Sequence, residues 1–402
     1  MNATNDTFDL PEDASSVAPS EIPPNATVEC AFEFTGSGGE YFRIWILNLI
    51  LSIITLGIYS AWAKVRREQY FHRNTLLDGS GFDYHGKAIA ILKGRLIAYG
   101  LLVVLGLLKN FLPSFYIYAL IAVAPIAPWL LVRSFSFRAR NISYRGLHFN
   151  FHSTYRECLM TFLPYIILFV GTAFLANYAT NEFISTGGMD FTTAQLWMML
   201  SPTIAFALAF PAMYCALKRF QLNNLSFGDS LFKTKIWPRA FYAIFLRAAL
   251  ILIVFMLILT FCFVPFFISV MGGAKPEGGA IFLIFTLTMM LWYLVFLSIF
   301  LAYYQSRTAN FVWNNTALDR HCFVSTQTFK GLFALTAVNW LFTLLTLGLY
   351  WPWAKVRLAA YRARNTLLVT EGGLDDFVGK VSEETRATGE EILDAFDFDI
   401  SL

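Results

Sequence analysis

A spaced trio of an arginine, an aromatic residue and an asparagine recurs along this sequence and is its strongest candidate for chemistry. The three residues lie four apart, so on a helix they share one face. An arginine one turn below a bilayer can extend to phosphates, and the aromatic ring then lies at headgroup depth. The trio therefore indicates recognition of an anionic group. Its four complete copies are Arg66/Tyr70/Asn74, Arg133/Phe137/Asn141, Arg307/Phe311/Asn315 and Arg357/Tyr361/Asn365.

Two interpretations of this trio are open. In the first, it is an anchor at a helix end that duplication has copied. Its asparagine then ends the helix because asparagine tolerates left-handed backbone geometry. In the second, the Arg/Asn pairs ring a shared cytoplasmic mouth and bind an anionic group there. A fifth copy keeps Phe220 and Asn224 but has Ala216 in the place of the arginine.

The trio belongs to a longer internal repeat. Residues Thr55–Arg66 match residues Thr346–Arg357 without a gap, over a stretch too long for chance. A phenylalanine follows four of the asparagines by eight residues, at Phe82, Phe149, Phe232 and Phe323. Phe34, ahead of the first apolar segment, is interpreted as the same element. We predict five repeat units, whose short strands form a cytoplasmic β layer beneath a helical bundle.

The composition places these units in a membrane. Of the 402 residues, 57% are hydrophobic and 14% are charged, and the mean hydropathy is +0.55. Soluble domains carry about 25% charged residues. This balance excludes a secreted disulfide scaffold, a disordered protein and a cytosolic enzyme, and it indicates an integral membrane protein.

Eight apolar segments are separated by connections of unequal charge. The basic residues cluster in five connections, so the positive-inside rule predicts these connections and both chain termini on the cytoplasmic side. The six segments between residues 95 and 304 then form three crossings out and back. Segments 41–63 and 331–354 stand alone, and we predict that they are re-entrant or interfacial; the alternative is that they cross and break the rule. The eight segments are 41–63, 95–111, 113–132, 158–179, 194–217, 240–270, 279–304 and 331–354.

Both ends of the chain are acidic. Residues 1–30 hold six acidic residues and no basic one, and their polar, proline-containing composition predicts disorder. Residues 371–402 hold ten acidic residues against Lys380 and Arg386. Residues 388–391 have the form of a capping box, so a short acidic helix there either docks on the basic cytoplasmic face and gates it or stays solvated. The membrane domain is predicted between these ends, over residues 31–370.

No catalytic residue, metal site or cofactor is predicted. His148 and His152 share a face but lack further ligands. The apolar segments lack the central carboxylate that coupled carriers use. Arg247 is their one clear charge, and it either extends to the cytoplasmic surface or acts as counter-ion for an anionic solute or headgroup. We expect no enzyme activity and no nucleic-acid partner; the expected partners are the lipid bilayer, anionic lipid headgroups and a small solute.

The stretch Thr-Leu-Gly-x-Tyr-x-x-Trp-Ala-Lys-Val-Arg, with the Arg-Asn-Thr-Leu-Leu that follows it, resembles a known family. It looks like the bacterial inner-membrane proteins of unknown function typified by YjgN, over roughly residues 31–370. The resemblance implies a multi-pass protein of the bacterial inner (cytoplasmic) membrane. It implies no established activity, so no residue role is taken from it.

The sequence thus predicts an all-α polytopic membrane protein with six full crossings, two re-entrant or interfacial terminal segments and short cytoplasmic β-strands. Two functions compete. Internal repeats, helix-breaking prolines such as Pro164, Pro202 and Pro211, and re-entrant segments favour channel-like or facilitative transport of a small solute. The arginine trios favour a non-catalytic membrane scaffold or an anionic-lipid-binding module.

Overall fold

The structure is a computed structural model that describes residues 27–185, 193–271, 279–371 and 373–388. Within these ranges the strands are β1 Thr27–Phe34, β2 Thr75–Leu77, β3 Ser80–Tyr84, β4 Ile142–Tyr144, β5 Leu147–Phe151, β6 Leu225–Phe227, β7 Ser230–Thr234, β8 Thr316–Leu318, β9 His321–Ser325 and β10 Thr366–Glu371. The helices are α1 Gly38–Ile54, α2 Ser60–Arg73, α3 Ala88–Phe111, α4 Pro113–Val123, α5 Ile126–Arg140, α6 Tyr155–Ser185, α7 Thr193–Asn223, α8 Pro238–Met271, α9 Gly279–Asn314, α10 Phe329–Leu345, α11 Trp351–Arg364 and α12 Leu374–Thr388.

The strands form one closed antiparallel barrel, in the order β1-β10-β9-β8-β7-β6-β5-β4-β3-β2. Strand β1 closes it, because residues 27–31 pair with β10 and residues 32–34 pair with β2. The prediction of an all-α fold with only short strands is therefore wrong. Strands of three to five residues carry a weak period-two pattern, and the pairing of units far apart in sequence is a tertiary event.

Strand β1 also bears on the predicted N-terminal boundary. The acidic segment was expected to extend to residue 30, but residues 27–30 belong to the strand that closes the barrel. Residues 1–26 lie outside the described part of the chain.

Two-residue turns join the strands of the hairpins at one end of the barrel. Asp78 and Gly79 have φ angles of 49° and 70°, and Arg145 and Gly146 have φ angles of 49° and 83°. Two consecutive left-handed residues form a type I′ turn, whose twist matches that of the paired strands. The sequence predicts turns at both places, because Asp78-Gly79 and Arg145-Gly146 each supply a glycine, which tolerates positive φ.

The opposite end of the barrel, here called the rim, carries the helices α1 to α11. The odd-numbered strands β1, β3, β5, β7 and β9 are here called the long strands. At the rim each of them is followed by an outgoing helix, and the chain returns as a helix that ends at an asparagine. The backbone N–H of the residue after each long strand donates to the carbonyl of such an asparagine. These hydrogen bonds, here called the belt, are Thr35–Asn74 (3.0 Å), His85–Asn141 (2.9 Å), His152–Asn224 (2.8 Å), Lys235–Asn315 (2.9 Å) and Thr326–Asn365 (3.0 Å). The belt therefore holds the returning helices at a common height.

Phenylalanines fill the inside of the barrel. Each lies three residues before a belt donor, on one of the long strands. Ring centroids are 6.4 Å apart for Phe32–Phe82, 6.4 Å for Phe149–Phe232 and 6.0 Å for Phe232–Phe323. The side chains belong to one hydrophobic cluster. The interior of this small barrel is thus a packed core.

The sequence marks four of these five phenylalanines correctly but takes Phe34 for the fifth. The equivalent residue is Phe32, which stacks on Phe82. Phe34 lies directly before the belt donor Thr35 and stacks instead on Phe71 of α2, with centroids 5.8 Å apart. A shift of two residues keeps a side chain on the same strand face, so alternation alone does not separate the two positions.

Helix α12 closes the turn end of the barrel. Leu374 and Val381 are buried in the same cluster as the barrel phenylalanines. The ring of Phe377 lies 4.2 Å from the ring of His321 on β9 and 6.2 Å from that of Phe227 on β6. An apolar face of α12 therefore covers the barrel core.

An ion-pair network holds the start of α12. Asp375 pairs with Arg145 in the β4–β5 turn, and Arg145 also binds Asp78 in the β2–β3 turn, with Nη2 and Oδ2 2.9 Å apart. The helix predicted from the capping box at 388–391 falls mostly outside the described residues, and α12 precedes it.

Five described helices are long and apolar enough to cross a membrane, and there are six if α4 and α5, bent by 45°, count as one span. Helices α6 and α7 continue through Pro164, Pro202 and Pro211. The spans are Ala88–Phe111, Tyr155–Phe183, Gln195–Asn223, Pro238–Val264 and Leu283–Asn314, with the bent pair Pro113–Val123 and Ile126–Arg140.

Segments 41–63 and 331–354 fold as the helical hairpins α1–α2 and α10–α11, and both ends of each hairpin lie at the rim. Tyr41 at the start of α1 stacks on Tyr70 at the end of α2, with centroids 5.2 Å apart. The bends include Gly57 and Gly348, with φ angles of 90° and 93°. This out-and-back path is the one expected of a re-entrant segment, and its depth in a bilayer stays a prediction.

Candidate functional site

The helices that end at the belt asparagines surround the barrel axis and are called the ring helices: α2, α5, α7, α9 and α11. Side chains connect several neighbours in this ring. The contacts are Phe135–Phe220 between α5 and α7 (6.4 Å between centroids), Tyr214–Tyr304 between α7 and α9 (6.3 Å), and Arg362 Nη2 donating to Gln305 Oε1 between α11 and α9 (3.2 Å).

Each asparagine of the trio ends its ring helix, but not by the predicted mechanism. The side-chain amide donates to the carbonyl four residues earlier, at 2.6–2.9 Å in all five helices. Asn74, Asn141 and Asn365 have φ angles of −91°, −90° and −106°, so the expected left-handed geometry is wrong. The amide supplies a donor that the end of a helix lacks, while the asparagine carbonyl accepts the belt bond.

The aromatic residues of the trio brace the rim. The Tyr70 hydroxyl donates to the carbonyl of Ser37 at 2.8 Å, and the Tyr361 hydroxyl accepts from the N–H of Thr328 at 3.0 Å. Phe311 packs edge-to-face on Trp237, just before α8, and on Phe241 in α8; the ring centroids are 5.3 Å apart in each case. Phe137 and Phe220 occupy the same position on α5 and α7. These rings join a returning helix to the start of an outgoing one, which is a structural role.

The four trio arginines are exposed, and none of the described contacts joins one to another. Arg66 lies over the ring of Tyr59 at 5.8 Å, and Arg133 lies over the ring of Trp129 at 5.9 Å. Arg357 donates to the hydroxyl of Tyr350 at 2.9 Å. Arg307 on α9 and Arg247 on α8 are exposed as well. The described contacts thus show no mouth shared by these arginines, which stays a prediction.

Five other cations of the ring helices lie on a different face from the trio arginines. They lie three, six or ten residues before the asparagine that ends their helix, at positions within about 60° of one another around the helix. The trio arginines lie eight residues before it, about 140–160° away from that face. We call this set the cationic cluster: Lys64, Arg138, Lys218, Lys355 and Arg362.

The cationic cluster extends across several helices. Burial lowers the pKa of Lys64, and the nearby charge of Arg138 on α5 lowers it further. Burial also lowers the pKa of Lys355, followed by the charges of Arg362 and of Arg67 on α2. Lys64 therefore lies near Arg138 of the neighbouring ring helix α5, and Lys355 lies near Arg362 and near Arg67 of α2, so Arg67 links the two groups of cations.

Within the described residues, no carboxylate forms an ion pair with a member of the cationic cluster. Glu68 on α2 is already bound by Arg67, with Nη2 and Oε1 2.7 Å apart. The contacts of Lys355 and Lys218 are neutral: Lys355 Nζ lies 4.6 Å from the ring centre of Trp351, and Lys218 Nζ lies 3.4 Å from a side-chain amide oxygen. The region is therefore net positive, and the one negative charge that acts on Lys64, that of Glu68, is shared with Arg67.

Sequence reasoning missed this cluster, although a signal was present. Lys64 and Lys355 stand at matching places in the two similar stretches, two residues before Arg66 and Arg357 of the trio. Periodicity defines the faces of a helix but does not say which face points to a common axis. That choice depends on the closure of the barrel.

The histidine pair considered for a metal is used otherwise. His148 Nδ1 lies 3.0 Å from the carbonyl oxygen of Arg140, and His152 Nε2 lies 2.9 Å from Ser226 Oγ. Among the described residues, no group of three or more His, Cys, Asp or Glu side chains is placed to hold a metal ion.

The ten-strand barrel, its belt and the apolar helices extend over most of the chain, and so does its similarity to known proteins. The profile of a family described as bacterial protein of unknown function (DUF898) matches residues 29–395. The chain belongs to this family. The resemblance found in the sequence is thereby confirmed.

Relatives of this DUF898 chain are named inner membrane protein YjgN. The one from Salmonella typhimurium is 28% identical over 356 residues, which are 85% of this chain and 88% of the relative. The one from Escherichia coli K12 is 23% identical over 372 residues, which are 86% of this chain and 89% of the relative. No solved structure matches this chain.

Proposed function

We propose that this DUF898 protein is a multi-pass inner-membrane protein that provides a gated, facilitative passage for a small solute, and that it is not an enzyme. The observation that carries the proposal is the ring of helices held at one height by the belt, with polar and charged side chains on a shared face. Such a ring offers a polar route inside a shell of apolar helices. The names of the relatives support the inner membrane as its location.

The orientation and the repeat are part of this proposal. Basic residues concentrate on the ring helices near the rim, which supports a cytoplasmic barrel and cytoplasmic termini by the positive-inside rule. The recurrence of the belt bond and of the asparagine cap supports descent of the five units from one ancestral element.

The barrel and α12 act as the closed gate of this passage. The phenylalanines fill the barrel along its axis, and α12 covers its turn end. Since α12 is a short helix near the end of the chain, its contacts can open without unfolding the ring helices. Release of α12 is then the first step of opening, and rearrangement of the phenylalanine rings is the second.

Osmotic reswelling of proteoliposomes tests the passage. Liposomes with the full chain are shrunk in a panel of solutes, for example phosphate, acetate, glycerol and betaine, and reswelling is followed by light scattering. Phe377→Ala, which loosens α12, should reswell faster than wild type for at least one solute. Lys380→Ala, exposed on the same helix, is the matched control and should behave as wild type. A folded Phe377→Ala protein that admits none of the solutes would refute the passage.

One observation favours the second candidate, an anionic-lipid-binding scaffold. A surface groove of about 310 Å³ is lined by Pro125, Ile126, Trp129 and Tyr155. The guanidinium of Arg133 lies 5.9 Å from the ring of Trp129, so a cation stands beside an apolar groove. An acyl chain in the groove would place a headgroup phosphate near this arginine. Failure of the reswelling test with every solute would leave this role as the better account.

A further inference from the structure

We propose that the cationic cluster is a binding site for a phosphate-bearing anion. As a statement about what passes through the protein, this inference rests on the proposed passage. As a statement about binding, it stands on the cluster alone. The ligand would be a free phosphate compound or the headgroup of an anionic lipid, since both present negatively charged phosphate oxygens.

The cluster forms tiers above the belt. Arg138 and Arg362 lie about 5 Å above it along their helices, Lys218 about 9 Å, and Lys64 and Lys355 about 15 Å. The two arginines offer planar donors that suit a phosphate in two-bond geometry, and the lysines supply mobile point charges. The ring helices therefore carry donors of both kinds at successive heights above the belt.

Neutral donors and acceptors complete the ring. Helix α9 contributes Gln305 at the same position as Lys64 and Lys355, and its Oε1 accepts from Arg362 Nη2 at 3.2 Å. This contact orients one guanidinium without neutralising it. Aromatic rings flank two of the lysines, at 4.6 Å from Lys355 to Trp351 and 5.8 Å from Lys218 to Tyr214.

The charge balance selects an anion over other ligands. Five cations of four helices form no described ion pair with a carboxylate, and Glu68, whose charge acts on Lys64, is bound by Arg67. Lys64 and Lys218 are half-buried, while Arg138, Lys355 and Arg362 are exposed. Like charges held near each other repel, and a bound anion reduces that repulsion. A cation would be rejected by the same field, and an uncharged solute would leave the repulsion in place.

The test uses two pairs of substitutions at matching positions of α2 and α11. Lys64→Gln with Lys355→Gln removes two charges of the cluster, and glutamine already occupies this ring position at Gln305, so the fold tolerates it. Arg66→Gln with Arg357→Gln removes two charges from the same helices on the opposite face and is the control. Thermal unfolding and gel filtration of the full-length variants check that each is folded.

Inorganic phosphate is titrated calorimetrically into the purified protein in uncharged detergent. In a second arm, the protein is placed in nanodiscs of phosphatidylcholine with or without phosphatidylglycerol, and lipid retained on purification is counted by mass spectrometry. The lysine pair should weaken binding by about tenfold or more, because hydrogen bonds to charged groups are the stronger ones. The arginine pair should change binding by less than about threefold.

The outcomes distinguish a free anion from a lipid headgroup as the ligand, and they test the anion site separately from the passage. Phosphate binding that depends on the lysine pair supports a free anion as ligand; phosphatidylglycerol retention alone, with the same dependence, supports a headgroup. Binding of neither probe, or equal losses for both pairs, overturns the anion site. Lysine-dependent binding without reswelling would refute only the passage, whereas reswelling with no lysine-dependent binding would refute only the anion site.

The pH profile gives an independent readout. Because Lys64 and Lys355 have pKa values below the usual lysine value of 10.5, they lose their charges earlier than free lysines as the pH rises. Phosphate affinity should therefore fall in the alkaline range below pH 10.5 in the wild type. In the Lys64→Gln/Lys355→Gln protein this fall should be smaller, because only Lys218 remains as a titrating lysine of the cluster, and a fall of the same size there would overturn the assignment of these lysines.

Discussion

Replacing Phe377 by alanine should release α12 from the barrel without unfolding the rest of the protein. The ring is half-buried and contacts His321 at 4.2 Å and Phe227 at 6.2 Å between centroids. A fully buried phenylalanine contributes about 3–5 kcal/mol over alanine, so a half-buried one contributes roughly 2–3 kcal/mol. Since each 1.4 kcal/mol is about tenfold, the opening equilibrium of α12 should rise roughly 30- to 150-fold.

Amide hydrogen exchange followed by mass spectrometry measures this opening. Exchange in peptides covering residues 374–388 should accelerate by about that factor, provided that these amides exchange through local opening. Peptides from the ring helices should keep their wild-type rates. Lys380→Ala, an exposed change on the same helix, should have no effect. Unchanged exchange in α12, or equal acceleration throughout the chain, would refute the view of α12 as a separately opening cap.

Two further predictions concern the packing of α1 against α11 and the effect of pH on the docking of α12. Gly38→Ala would place a methyl group in the indole ring of Trp353 and should cost about 1–3 kcal/mol in thermal unfolding, whereas the adjacent Gly39→Ala, which faces open space, should cost nothing. Burial lowers the pKa of His321 below 6.5, so the folded state resists its protonation; docking of α12 should be complete above pH 6.5 and weaken as the pH falls below it. Exchange in α12, corrected for intrinsic rates, should show this loss in the wild type, and its persistence in His321→Gln would contradict the assignment.

The asparagines of the trio show which features of a helix end the sequence alone predicts. Their spacing from an aromatic residue marks the end of each ring helix correctly, because helix termination is decided by local hydrogen bonds. The backbone angle of Asn74 was predicted wrongly, because the donor of its belt bond, Thr35, is 39 residues away. What the asparagine carbonyl must reach is set by a neighbouring unit and not by the helix that it ends.

The candidate site shows the same division. Lys64 and Arg66 stand two residues apart in the stretch 55–66, which recurs at 346–357, and both are cations near the end of an apolar segment. Nothing local distinguishes them. About 160° of helix rotation separates them, and only the attachment of α2 to the barrel decides which of the two faces the other ring helices.

Composition and spacing by themselves determined that this chain enters a membrane, where its helices end, where its turns lie and which phenylalanines recur. These properties follow from local free energies: apolar transfer, capping and turn geometry act within a few residues. The tertiary structure decided that the strands close into a barrel, that α12 covers it and that Lys64 and Lys355 lie near cations of other ring helices. Those outcomes depend on pairing between residues as distant as Cys30 and Leu368, whose encounter no local pattern encodes.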